Sequence, residues 1–257
     1  MSHDHAHPYI KACLNLYAVL KNLEDLIAFD PETAATVKEW DISIQFSVLA
    51  GPKAWISFKD GSCRVERGEK SDPTVRLFFV GSAHLNKMMD GKGFPIPLKG
   101  FKNLGFLSKD FPKVTDRLEY FLKPTDALLA DPAYLAMNTR LSLNTAAYAI
   151  REIGLHDEVG KLLAGRVPNG TVVMKILPDG PAVHIEFQNN DILPGKGEVN
   201  HPQACMLMKD MATANAFMNN KMDTFSAIAT GAVEIRGQIP MLDALSLILD
   251  RIPEYLA

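Results

Sequence analysis

Three shortages in this sequence each remove a class of protein. Its 257 residues include only 3 cysteines, Cys13, Cys63 and Cys205, far apart and odd in number. No disulfide framework is therefore expected, and a reducing cytoplasm suits the chain better than an oxidising compartment. Each thiol reads as a small buried apolar group. Long apolar runs are also missing: none approaches the ~20 residues that span a bilayer. The N-terminus, Met1 to Pro8, lacks the basic-then-apolar order of a secretory leader. Positive charge is in deficit, with 27 Lys and Arg against 30 Asp and Glu and a formal net charge of −3. That balance argues against a nucleic-acid partner held by phosphate neutralisation.

Catalytic and cofactor signatures are scarce as well. There is no Gly-x-Ser-x-Gly elbow. His84, His156, His184 and His201 lack metal-ligand spacing, and Gly91-Lys92-Gly93 lacks the second half of a phosphate loop. His3, His5 and His7 alternate around Asp4, where metal binding is expected to be adventitious. Glu69 and Glu198 each follow a glycine. One carboxylate per region lacks the partner that acid–base work uses, so each reads as a strand-end hydrogen-bonding group. The expectation is no catalytic residue, no metal and no cofactor.

What the chain does contain is 47% hydrophobic residues, enough for packed cores, and an internal repeat. Shifted by ~129 residues, the sequence meets itself without gaps. Leu14-Asn15 meets Leu143-Asn144, Gly51-Pro52 meets Gly180-Pro181, and Ile56 and Phe58 meet Ile185 and Phe187. Gly68-Glu69 meets Gly197-Glu198, and Asn86, Met89 and Lys92 meet Asn215, Met218 and Lys221. Identity is only about one in five, but the matches fall at turns and at apolar positions of one period, where a shared backbone demands them.

Each copy opens with an amphipathic helix, roughly residues 9–28 and 132–153. In copy one a short helix follows, with Asp30 as cap and Pro31 in its first turn. Strands are expected at 42–49, 54–58 and 74–80, and at 171–177, 182–187 and 203–208. Asp60-Gly61 and Asn189-Asn190 suit tight hairpin turns, because these residue types tolerate positive φ. Helices start at Ser82 and Asp210. Copy two then shows an alternating strand from Gly231 to Gly237 and a last helix, 240–252. Copy one ends in a helix over 110–122. The expected modules are 1–128, divergent after residue 92, and 129–257, with the linker expected between Lys123 and Pro132.

Copy two from Gly170 to Leu256 resembles the sterol carrier protein 2 (SCP2) family. The residues that carry the resemblance are the hairpin around His184–Asn190, Gly197-Glu198, the Ala212–Asn219 helix with Phe217-Met218, Gly231-x-x-x-Ile235-x-Gly237, and Leu245–Leu249. Copy one shows the same pattern through Lys92. The resemblance implies an α+β fold of two tandem modules, each a mainly antiparallel sheet of about five strands covered on one face by helices. It also implies an apolar cavity that binds a fatty acid, a sterol-like or an acyl-CoA-like molecule, with no catalytic residues to carry over.

Methionine is concentrated in copy two, at Met206, Met208, Met211, Met218, Met222 and Met241. Thioethers fill irregular space and suit a pocket that accepts several shapes, although any amphipathic helix presents an apolar face to a core. With Phe217, Phe225, Ile228 and Leu245 these residues form the expected ligand site. Trp55, Leu85, Met88 and Met89 are its counterpart in copy one. Copy one is expected to bind more weakly, with Phe94, Phe101 and Phe106 filling its cavity. The proline-interrupted stretch Gly93–Lys102 has two readings: a portal touching acyl chains and headgroups, or a loop packing on the other copy. Three functions remain in play: a non-enzymatic lipid binder or carrier with transient membrane contact, a structural, dimerisation or regulatory module with a filled core, and an enzyme acting on an acyl thioester.

Overall fold

The computed structural model describes residues 3–219, 221–222 and 224–256. The chain forms two compact units, Met1–Lys123 and Pro124–Ala257.

In unit one, α1 (His3–Leu14) continues through a π turn (Asn15–Val19) and a 3-10 turn (Leu20–Asn22) into α2 (Leu23–Phe29). Leu14, Leu16, Leu23 and Leu26 on this helical stretch are fully buried. Asp30 breaks it with extended backbone and accepts the Thr33 N–H at 3.1 Å, capping α3 (Pro31–Val37), which has Pro31 at its first position. There follow β1 (Ile42–Val48), β2 (Lys53–Lys59), β3 (Ser62–Arg67), β4 (Val75–Phe79), α4 (Ser82–Met89), β5 (Ile96–Lys99), α5 (Leu104–Lys109) and α6 (Phe111–Leu122).

Unit two repeats the plan. A short α7 (Asp126–Leu129) leads to the 25-residue α8 (Pro132–His156), then α9 (Glu158–Ala164), capped by Asp157. Next come β6 (Gly170–Ile176), β7 (Ala182–Gln188), β8 (Asp191–Lys196), β9 (Ala204–Met208), α10 (Met211–Met218), α11 (Thr224–Ala229), β10 (Val233–Gly237), α12 (Ile239–Leu249) and α13 (Pro253–Leu256). No helix among the described residues is long and apolar enough to cross a membrane.

The two sheets have one topology, β3-β2-β1-β4-β5 and β8-β7-β6-β9-β10. Three pairings in each are antiparallel. The central one, β1 with β4 or β6 with β9, is parallel, so the expected α+β fold of mainly antiparallel sheets holds. The hairpin turns adopt the predicted left-handed backbone, with φ of 51° and 70° at Asp60-Gly61 and 50° and 65° at Asn189-Asn190. Alternation along the strands separates the faces. Ile44, Phe46, Ala54, Ile56, Val75 and Leu77 are buried under the helices, while Ser57, Trp55 and Arg76 between them stay half-exposed.

One expectation is corrected. Copy one does not lose its last strand after residue 92. β5 pairs with β4 as β10 pairs with β9, and both strands end in a left-handed glycine, Gly100 (φ 87°) and Gly237 (φ 86°). Pro97 is accommodated because β5 is an edge strand. The strands after the hairpin turns, β3 and β8, went unpredicted because polar and proline-containing sequences (SCRVER and DILPGK) give little alternation.

Candidate functional site

The helix-covered face of the unit two sheet carries three methionines, Met174, Met206 and Met208. Met174 on β6 stands beside Met206 on β9, and Ile176 beside Met208. On the other side of β9, Ile235 and Val233 of β10 face the same two methionines. α12 packs on β9 and β10, and it buries Met241 and Leu245. Met174, Met206, Met208 and Met241 are all fully buried.

The same register in unit one carries different chemistry. Phe46 of β1 stands beside Leu77 of β4, and Val48 beside Phe79. Phe46 and Phe79 stack with ring centroids 6.3 Å apart and planes at 4°. Phenylalanine is a rigid plate, whereas methionine has three rotatable bonds and a polarizable sulfur. At matched positions, therefore, unit one carries Phe46, Leu77 and Phe79 where unit two carries Met174, Met206 and Met208. Met174 was missing from the sequence-based site. A gap-free comparison sets it against Gln45, one residue from its structural counterpart, and a one-residue slip moves a strand side chain to the other face.

On α10 the buried residues are Ala214 and Asn215. Asn215 Nδ2 donates to Asn138 Oδ1 at 2.7 Å and to Thr139 Oγ1 at 2.9 Å on α8. In unit one Asn86 on α4 plays this part, accepting from Asn15 at 3.2 Å and donating to the Pro8 carbonyl at 2.9 Å. A recurring buried amide thus ties the short helix to the long one in both units. Met211, Phe217, Met218 and Met222 are half-buried around α10, as are Met88 and Met89 beside the buried Leu85 on α4. Ile228 on α11 is exposed, and the Phe225 side chain lies outside the described residues.

Trp55 requires a correction. It pairs with Gln45 on the face of the sheet opposite Ile44 and Ile56, and its ring carries Lys70 Nζ 4.5 Å from its centroid. It does not join Leu85, Met88 and Met89. Phe94 and Phe101 do not fill unit one either; both point into solvent. Phe106 is half-buried and lies 4.7 Å from Trp40, which in turn meets Phe58 at 5.0 Å.

Other polar residues serve the fold. Glu69 pairs with Lys53 at 2.6 Å and Glu198 with Lys175 at 2.7 Å. The hydrogen bond and charge of Lys53 hold the Glu69 carboxyl below the usual range. Burial pushes the Cys205 thiol up, away from the reactive thiolate. Burial also acts to raise the Asp30 carboxyl, but hydrogen bonds from Arg117 and Thr33 outweigh it and leave the group below its ordinary value.

A cavity of about 230 Å³ lies elsewhere in unit two, between the end of α8, α9 and the β7–β8 hairpin, lined by Leu155, Ala164, Phe187 and Ile192 with Lys161 and Asn190. It is smaller than the ~300 Å³ at which small-molecule pockets begin, and it includes none of the expected site residues.

No family model matches the chain, and no curated protein matches it. Solved structures do. The chain is similar to a UbiJ-SCP2 ubiquinone synthesis protein, with 9% identity over 40% of this chain and 89% of that one and a TM-score of 0.33. It is similar to sterol carrier protein domain 2 of Helicoverpa armigera, with 13% identity over 45% and 91% and a TM-score of 0.35. It is also similar to sterol carrier protein 2 of Yarrowia lipolytica, with 17% identity over 40% and 92% and a TM-score of 0.30. Each of these structures is matched over less than half of this chain.

Proposed function

We propose that unit two binds a long apolar small molecule, such as a fatty acid, a sterol-like or an acyl-CoA-like ligand, without transforming it. The observation that carries this reading is the substitution of Met174, Met206 and Met208 for Phe46, Leu77 and Phe79 at matched sheet positions. A ligand chain lying between sheet and helices gains about 0.8 kcal/mol per buried methylene, less the cost of ordering it. Thioethers that change rotamer cheaply give way to such a chain, and stacked phenyl rings do not. Phe217 and Met218 on α10 are half-buried. Unit one is the weaker binder on this account.

A second reading is a structural, dimerisation or regulatory module. What favours it is the closure of the methionine layer, in which Met206, Met208 and Met241 have no exposed surface. Native mass spectrometry of the purified full chain separates the readings. Lipid that co-purifies, or stoichiometric uptake of added fatty acid, supports the binder. A persistent apo mass supports the filled module. Turnover of an added acyl thioester replaces both with an enzyme.

A further inference from the structure

Residues 87–109 of unit one contrast with the rest of the chain in charge and exposure. The stretch holds five lysines, Lys87, Lys92, Lys99, Lys102 and Lys109, and one acid, Asp90, in a chain whose net charge is −3. All five lysines are exposed. Asp90 is engaged by Lys11 at 3.2 Å. Among these cations the structure sets five exposed apolar side chains: Phe94 (87% exposed), Ile96, Leu98, Phe101 (62%) and Leu104. So dense a cluster of large apolar groups at a surface marks an interaction site.

Phe94 is presented, not stray. Its carbonyl oxygen lies 2.8 Å from His84 Nε2, and the His84 ring packs edge-on against Phe79 at 5.4 Å. The backbone is therefore anchored to the core while the phenyl ring stands in water. Along β5, Ile96 pairs with Phe78 and Lys99 with Arg76. These β4 positions alternate with the buried Leu77, so an apolar group and two cations share the face away from the core. Beyond Gly100 the 3-10 turn Phe101–Asn103 adds Phe101 and Lys102. Lys99 also pairs with the exposed Asp72, as Arg236 does with Glu234 on the matching strand of unit two; the two strands differ in that Val233 is buried there.

We infer that this face of unit one docks on an anionic lipid surface, with Phe94 and Phe101 entering the interface and the lysines meeting lipid phosphates and carboxylates. Aromatic rings settle at the headgroup level, and lysine stems lie along apolar surface while their ammonium groups stay among anionic headgroups. A second copy adding a strand at β5 is disfavoured, because Pro95 and Pro97 remove two backbone donors from that edge. The inference stands without the ligand site of unit two.

Co-sedimentation of the full chain with phosphatidylcholine vesicles, with and without phosphatidylserine, tests it. The chain should pellet with the phosphatidylserine vesicles, and less so as salt rises. Phe94→Ser with Phe101→Ser, and separately Lys92→Glu with Lys102→Glu, should each lower the bound fraction about tenfold or more. Leu162→Ser, at an exposed position of unit two, should change nothing. Fatty-acid binding without vesicles should survive both pairs, which keeps this test separate from that of the ligand site. Failure to pellet with phosphatidylserine vesicles overturns the inference. So does wild-type pelleting by the lysine pair, which alters only exposed cations and decides the matter if the phenylalanine pair melts early. A phenylalanine pair that abolishes self-association in sedimentation velocity while vesicles are ignored assigns the surface to a second copy and overturns it equally.

Discussion

Arg251 grips Asp157 with both arms of its guanidinium, Nε at 2.6 Å and Nη2 at 2.8 Å, and Tyr255 adds a third hydrogen bond at 2.6 Å. Arg117 makes the same fork on Asp30, at 3.1 and 2.9 Å. In each unit the aspartate also caps the short helix that follows the long one. One carboxylate thus joins the first helical layer to the C-terminal helices. Arg251→Met leaves the buried Asp157 carboxylate without its counter-charge and should cost at least about 2 kcal/mol, read as a fall in melting temperature. A wild-type melt would show that the fork is ornamental.

The same cluster sets a pH dependence. Burial acts to raise the Asp157 carboxyl, but hydrogen bonds from Arg251, Tyr255 and the Gly160 N–H leave it below its ordinary value. Its stabilisation is therefore present above the ordinary carboxylate range and is lost as pH falls through the lower folded value. Tyr255 runs the other way: burial and its bond to Asp157 push it up to about 12. Its contribution is complete below the ordinary tyrosine value near ~10 and is lost as pH rises through about 12. Tyr255→Phe should flatten the alkaline fall in melting temperature across that window. An unchanged alkaline limb would place its cause elsewhere.

The buried amides should behave as paired groups. Asn215→Ala removes the hydrogen bonds that Asn138 and Thr139 on α8 accept from Asn215 and should destabilise the chain by about 1–3 kcal/mol in denaturant titration. Asn86→Ala should act similarly through Pro8 and Asn15. A cost below about 0.5 kcal/mol at both sites would mean that water replaces the lost bonds.

Gly100 and Gly237 test the equivalence of β5 and β10. Each has positive φ, and a Cβ there would stand 2.6 Å from the Thr74 carbonyl oxygen or 2.1 Å from that of Gln203. Alanine at either position should cost more than about 1 kcal/mol, since both strain and clash oppose it. Tolerance at Gly100 with loss at Gly237 would contradict a shared strand end.

Much of this fold is legible in the residues. The Asp60-Gly61 and Asn189-Asn190 turns, the Asp30 cap and the Asn86–Asn215 match all land as expected, because each rests on local chemistry the backbone cannot evade. The last strand of unit one was hidden because α11 lengthens unit two before β10, so equivalent residues there lie further apart than earlier in the repeat. The site was less legible. Met206 and Met208 share one face of the unit two sheet, whereas Trp55 lies on the face of the unit one sheet away from Ile56 and Phe58, as the strand's own alternation requires. Phe94 and Phe101 read as filler, since an apolar residue next to proline carries no mark of exposure.

Met218→Asp should weaken apolar ligand binding, because a charge on the half-buried face of α10 opposes entry of an apolar chain that would bury it. Fluorescent fatty-acid titration is to be read beside the melting temperature. Lost stability with unaltered binding would return Met218 to a packing role.

The most direct test follows the methionines themselves. In the full chain labelled with ¹³C at methionine methyl groups, titration with a long-chain fatty acid should shift the resonances of Met174, Met206, Met208 and Met241 together and saturably, while Met88 and Met89 move little. Saturable binding that leaves those four resonances in place, or that moves Met88 and Met89 instead, would contradict a ligand site between the sheet and helices of unit two.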